Sequence, residues 1–415
     1  MICLLQTLFG VFLFVFPFSL RFLVYEQNAY RFGHFSPWVS EFVYLPELLL
    51  VVTFGLWAYE KRGRFLASLR SLGMTKGALF ITLITIFLVN AFLITVWQGD
   101  WVLGLFFVWR VLEIVMLALL ITHAVMKPQA MVKILLGGAV FQIALMLMQW
   151  KLNHSVGLEW FGEPMIGPDV LNVAKIDLPN GLKQIRPYGT FLHPNILASY
   201  LLVILFCALD YLKATQKIPW LIILGFGIYF TQSLAGFGVA VMALGLWILF
   251  SVLRHPVLRR GLAGVGLVML ILVNVWFFLN SDRVTLNLTS FQQRLEQNVI
   301  SADMTRAHPL GVGVRNFTLE MEQFSDRKLQ PWEFQPVHNT YFLILSEVGV
   351  QGLLLLTLLI GATFYFWRHG KAIPLISLLL LAPFDHFLWD SFAGMMLVGL
   401  AVGFFALHNR TSDIT

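Results

Sequence analysis

His338 stands where a long polar segment meets an apolar run, in His338-Asn339-Thr340-Tyr341-Phe342-Leu343-Ile344-Leu345-Ser346-Glu347-Val348-Gly349. An imidazole titrates near neutral pH, so it can take a proton from a hydroxyl. The helix expected behind it would hold the ring at a fixed height beside a lipid-borne substrate. A second group lies in Arg186-Pro187-Tyr188-Gly189-Thr190-Phe191-Leu192-His193-Pro194-Asn195. The planar fork of Arg186 suits a pair of phosphate oxygens. Pro194 opens a helix well, and Asn195 then falls in a first turn whose free N–H groups favour anions. The plainer reading makes Arg186 a membrane-border cation and Asn195 a helix-start residue. A third group, Asp385, His386 and Asp390, sits in Phe384-Asp385-His386-Phe387-Leu388-Trp389-Asp390. It would either orient a catalytic group or hold a helix turn together.

Other motifs carry less chemistry. His308-Pro309-Leu310-Gly311-Val312-Gly313 lacks the lysine and the flanking strand of a nucleotide loop. Its glycines suit a tight turn that packs backbone against backbone. There is no Asp-x-Asp pair and no cysteine–histidine cluster with metal spacing, so neither a metal nor another cofactor is expected. A pyrophosphate handled by this chain would have to be held by arginines. Arg110 and Glu113, three apart inside an apolar stretch, should neutralise one another on one helix face.

The elements that position these residues follow from composition. The chain is 58% hydrophobic and 12% charged over 415 residues, with mean hydropathy +0.79. A soluble domain carries about 25% charged residues. The pattern predicts an all-α polytopic membrane protein, one helical domain over 1–415. The net charge of +6 needs no nucleic-acid partner, because the cations sit at membrane borders. Cys3 and Cys207 lie in apolar runs and imply no disulfide.

About twelve spans are expected, near 2–22, 41–59, 77–97, 102–125, 134–151, 194–211, 218–232, 235–253, 262–280, 339–367, 373–387 and 388–407. The first reads as a retained span rather than a cleaved signal. Alternate short loops are basic, from Lys61 and Arg62 through Lys127, Lys213 and Arg254 to Arg368 and Lys371. The positive-inside rule puts those loops and both termini in the cytoplasm. Two long loops, near 152–193 and 281–337, then face the periplasm, and helical character from Ser290 to Met304 makes the second partly helical.

The order of motifs resembles the O-antigen ligase and polymerase superfamily. The residues that carry the likeness are Arg186-x-x-Gly189-x-x-x-x-Pro194-Asn195, His308-Pro309-Leu310-Gly311-x-Gly313, His338-Asn339 followed by Glu347-x-Gly349, and Phe384-Asp385-His386-Phe387-Leu388-Trp389. Many members have Ser-Arg at the break between the seventh and eighth spans, where this chain has Ser233-Leu234.

The resemblance implies a glycosyltransferase of the bacterial inner membrane with its active site facing the periplasm. The donor would be a glycan on undecaprenyl pyrophosphate, and the acceptor a sugar of lipid A–core. His338 would be the base, with Arg186 and Arg294 on the pyrophosphate. Asn195, Asn339, Asp385, His386 and Asp390 would support them. Direct attack would invert the anomeric centre, and no metal would be needed. A repeat-unit polymerase and a pilin glycosyltransferase are alternatives within the superfamily. The rival from another class is a transporter, against which stands the gathering of polar groups at one face and the lack of related halves.

Overall fold

The structure, a computed structural model, describes residues 2–26, 29–31, 33–61, 78–98, 100–178, 181–252, 290–366 and 371–412. It is mostly helical. In chain order the helices are α1 Ile2–Val15, α2 Leu45–Glu60, α3 Ala78–Trp97, α4 Trp101–Thr122, α5 Pro128–Leu152, α6 Pro194–Tyr211, α7 Ala214–Phe230 and α8 Leu234–Val252. Then follow α9 Ser290–Ala307, α10 Phe317–Glu320, α11 Thr340–Phe366, α12 Ile373–Leu381, α13 Phe387–Asp390 and α14 Phe392–Ser412. Among the described residues, α4, α5, α6, α8 and α11 are long and apolar enough to cross a membrane. Parts of α1, α3, α12 and α14 form shorter apolar helices.

The expected set of spans is therefore corrected in several places. The helix expected over 2–22 stops at Val15, because Pro17 has no N–H to continue the ladder. The chain then forms strand β1, Arg21–Tyr25, which pairs antiparallel with β4, Glu41–Tyr44. Two smaller hairpins, β2 Tyr30–Arg31 with β3 His34–Phe35 and β5 Lys175–Asp177 with β6 Lys183–Ile185, complete the sheet content among the described residues. An all-α reading missed all three. The spans expected at 373–387 and 388–407 break up around extended backbone at Asp385 and Ser391, leaving the short α13 between α12 and α14. The span expected at 262–280 lies outside the described residues, as do the basic residues Arg62, Arg254 and Arg368.

α6 is the centre of the bundle, buried along nearly its whole length. It packs against α5, α7, α8 and α12, and α14 runs along α4. Arg110 and Glu113 do pair inside α4, at 2.9 Å, and Glu47 of α2 adds a second carboxylate 2.5 Å from the same nitrogen. Arg110 also donates to the Phe42 carbonyl. A buried arginine is tolerated here because both ends of its fork are occupied.

α9 packs on α11, where the Ser301 hydroxyl donates to Phe342 O at 3.0 Å. α11 is broken at Gly349, with φ 78° and ψ −178°. The break frees backbone groups that must find partners elsewhere. The His308–Gly313 turn supplies them. Val312 N donates to Ser346 O and Gly313 N to Glu347 O, both at 2.9 Å, while Val350 N donates to Pro309 O at 3.0 Å. The two backbones touch through glycines. A Cβ on Gly311 would lie 2.5 Å from Glu347 O, and one on Gly349 would lie 2.4 Å from the Leu310 carbonyl carbon.

Gly311→Ala should therefore lower the melting temperature of the purified protein in detergent. Gly311 has φ +97°, which alanine rarely adopts. Such strain is worth roughly 1–3 kcal/mol, and the clash with Glu347 O adds to it. A melting temperature equal to the parent's would show that the turn does not hold the break in α11.

Candidate active site

The same packing draws the residues singled out in the sequence to one end of the bundle. Pro194 starts α6, and His193 caps it, its Nδ1 accepting from Asn195 N at 3.2 Å. Asn195 is buried and joins three segments. Its Nδ2 donates to Asp385 Oδ2 at 2.7 Å. Its Oδ1 accepts from Arg186 Nη2 at 2.9 Å and from Ser233 Oγ at 2.8 Å. Asn195 thus acts as a bridge inside the protein, not as a residue of an open helix start.

Arg186 follows β6. Its Nε donates to Thr231 O at 3.3 Å, in the tight break between α7 and α8. With Nε and Nη2 engaged, the guanidinium is fixed in orientation, and Nη1 has no bond among the described residues. Burial lowers its pKa to about 10, which still leaves it charged at neutral pH.

Asp385 and His386 sit on extended and turn backbone between α12 and α13. Thr340 ties the start of α11 to them, its N and Oγ1 both donating to Asp385 O, at 3.0 and 2.7 Å. Asn339 Oδ1 accepts from Tyr341 N at 3.0 Å and Phe342 N at 3.3 Å, so Asn339 caps α11. His386 Nδ1 lies 2.7 Å from Asp390 Oδ2, one helical turn on, and its Nε2 lies 3.9 Å from Asp385 Oδ1. Trp38 meets the His386 ring edge-on at 4.9 Å between centroids.

His338 closes the cluster. Its ring centroid is 5.3 Å from that of His386, and its Nδ1 lies 2.8 Å from Gln297 Oε1 on α9. An amide oxygen can only accept, so Nδ1 carries the hydrogen and Nε2 keeps the lone pair. Arg294, one turn before Gln297, donates from Nη1 to Phe384 O at 3.4 Å. His338, Arg186, Arg294, Asn195, Asn339, Asp385, His386 and Asp390 are thus all in one place.

The electrostatics separate the three histidines. Burial, helped by His386, lowers the pKa of His338 to about 3. Burial also lowers that of His193, against the pull of Asp385. Burial opposes charge on His386 too, yet Asp390 and then Asp385 outweigh it and raise its pKa. Asp385 is itself buried, but the nearby histidines, His386 foremost, hold its carboxyl well below the usual carboxylate range. Of the three histidines only His386 has its pKa raised, and it is the foremost of those that hold Asp385 low. His338 is left as an uncharged imidazole beside Asp385 and His386.

Gln297 was not anticipated. Gln293 and Gln297 are four apart and share one face of α9, a spacing visible in the sequence. Ser233 and Thr231 were seen as a polar break but not as the seat of Arg186. Among the described residues no group of three His, Cys, Asp or Glu side chains is arranged to hold a metal ion.

Apolar helices able to cross a membrane, with arginines, histidines and aspartates drawn together at one end, define a multi-pass membrane protein with an enzyme-like polar site. Residues 219–357, about a third of the chain, match a family model described as O-antigen ligase, and this supports the chain's place in the O-antigen ligase and polymerase superfamily. The match runs from α7 into α11. It takes in Arg294, Gln297 and His338 and leaves out Arg186, Asn195, Asp385, His386 and Asp390. No curated protein matches the chain. The family implies a glycosyltransferase-like enzyme acting on lipid-linked glycans in lipopolysaccharide biosynthesis.

Proposed function

We propose that the protein transfers a glycan from undecaprenyl pyrophosphate to a sugar hydroxyl of lipid A–core, at the periplasmic face of the inner membrane. The observation that carries this is a neutral imidazole, His338, with no bond to its Nε2 among the described residues, Arg294 close by, and Arg186 joined to the same cluster through Asn195 and Asp385. His338 Nε2 takes the proton of the acceptor hydroxyl. The oxygen attacks the anomeric carbon from the face opposite the pyrophosphate. The bond from that carbon to the pyrophosphate oxygen breaks, and the configuration inverts. The leaving group is already activated, so no nucleotide is consumed. Its developing charge falls to Arg186 Nη1 and to Arg294. Asp385 favours the imidazolium that forms on His338, and His386 opposes it.

The test of the overall reaction is the lipopolysaccharide of a cell lacking the gene. Loss of every attached long chain, with carrier-linked polymer accumulating, is the expected result. A single attached repeat would make the protein a polymerase, and unchanged lipopolysaccharide would remove the proposal. With purified protein, transfer should continue in EDTA. Activity lost to EDTA and restored by magnesium would refute the arginine-based mechanism.

Arg186→Lys should lower the initial transfer rate by roughly ten- to a hundredfold. A lysine keeps the charge but carries its donors on one nitrogen, without the planar fork whose separate nitrogens reach Thr231 O and Asn195 and leave Nη1 for a phosphate. A charge-assisted hydrogen bond contributes on the order of 1.5–3 kcal/mol. A lysine variant as active as the parent would return Arg186 to a purely structural role.

A further inference from the structure

At His338 lies a pocket of about 210 Å³, lined by His338, by Arg294 and by residues that the transfer chemistry above does not use. Its floor is α9 and its far wall is the segment that leads from residue 329 to His338. That is smaller than the ~300–1,000 Å³ of drug-sized sites and suits one sugar ring. Apart from Ile300, Met321 and Leu329 the lining is polar or aromatic. Gln293, Gln297 and Gln335 present amides, Glu296 and Glu333 present carboxylates, and Trp332 presents an indole that is 45% exposed.

The charges of that wall are already settled within the protein. Arg327 donates to Glu296 Oε2 at 2.8 Å and to Glu333 Oε1 at 2.6 Å. With Arg327 and Arg294 set against Glu296 and Glu333 the charges balance, and the pocket presents paired carboxylates and amides, which suit hydroxyl groups. A pyrophosphate filling it would meet the two carboxylates, with Arg294 the one cation in the lining. An exposed indole at the mouth offers a flat apolar face to the C–H side of a sugar ring. Gln297 links pocket and base, with Oε1 on His338 and an Nε2 donor that has no bond among the described residues.

We propose that this pocket is the acceptor subsite, binding one uncharged pyranose of the acceptor glycan, with Trp332 as its stacking platform and the three glutamines on its hydroxyls. The inference rests on the transfer reading and adds to it where the acceptor lies. A sugar held there has its reactive hydroxyl against His338, while the pyrophosphate stays on the Arg186 side.

The experiment compares the full-length protein with Trp332→Ala and Trp332→Tyr in steady-state transfer. Trp332→Ala should raise the acceptor KM about tenfold and leave the donor KM within about twofold. Trp332→Tyr, which keeps a ring, should recover most of the acceptor affinity. A rise in donor KM alone, or no change in either, overturns the subsite. A second readout is independent of turnover: saturation-transfer NMR with core oligosaccharide released from the cell's own lipopolysaccharide. Contact signals from the oligosaccharide with the parent, weakened in Trp332→Ala, support the subsite; their absence with the parent overturns it. If the parent transfers nothing, the reaction reading fails, and the NMR result alone decides the subsite.

Discussion

His338→Ala is expected to fold, insert and bind the carrier-linked donor, while its single-turnover transfer rate falls by about 10²–10⁴. That range is what a positioned general base contributes. The geometry gives the base its form: Gln297 fixes the hydrogen on Nδ1, so Nε2 is the atom that accepts. Burial and His386 lower the pKa of His338 to about 3 in the empty site. The sign of the pH dependence follows. A base with a lowered pKa is already deprotonated above about 3, so kcat/KM should show no acid limb near the ordinary histidine value of about 6.5. Donor binding brings two phosphates next to Arg294, one of the cations that depress His338, and so makes the imidazole more basic when it is needed. A variant rate within a few-fold of the parent would move the base elsewhere, with Asp385 and His386 next in line. An acid limb near pH 6.5 that disappears in His338→Ala would show that His338 is solvated, contrary to this structure.

Asp385→Ala should destabilise the protein by roughly 3–5 kcal/mol at neutral pH, seen as a lower melting temperature in detergent. Asp385 is 6% exposed and accepts from Asn195 Nδ2 and from His386 N, at 2.7 and 2.8 Å. Removing it takes from His386 one of the two carboxylates that raise its pKa, and leaves Asn195 with an unmet donor. Asp385→Asn should lose less, since its amide oxygen keeps one of the two acceptors, Asn195 Nδ2 and His386 N being bonded to different carboxylate oxygens. The pH profile of stability checks the assignment. Asp385 has its pKa lowered on folding, so its contribution is full above the unfolded carboxylate value of about 4 and is lost as pH falls through the folded value. His386 has its pKa raised, so its contribution is full below about 6.5 and is lost as pH rises through the folded value. The parent should therefore weaken on the alkaline side, and Asp385→Ala should show a smaller alkaline loss. An unchanged melting temperature in Asp385→Ala would mean that the cluster is solvated and not a packed ion pair.

Much of this site was legible before any coordinates. Hydropathy marked α4, α5, α6, α8 and α11, because a helix that crosses a bilayer must be apolar over most of its length, whether it meets lipid or other helices. Chemical type marked His338, Arg186, Asp385 and His386, because an imidazole can move a proton, a guanidinium can hold a phosphate and a carboxylate can orient either. The glycines of His308–Gly313 were readable as a close backbone contact, though their partner was not.

What the sequence by itself determined was the membrane class and the residues able to do chemistry, since both depend on local composition. Only the tertiary structure decided which of those residues meet. The strands over 21–44 were hidden because Arg21-Phe22-Leu23-Val24-Tyr25 continues an apolar run that is equally able to form a helix or a strand, and its pairing with β4 settles it. Glu47 joins Arg110, Asn195 joins Arg186 to Asp385, and Gln297 sets the tautomer of His338, each across a long stretch of chain. No local pattern encodes such partners. They arise because a buried polar group in an apolar bundle must find its hydrogen bond wherever packing brings a donor or acceptor within reach.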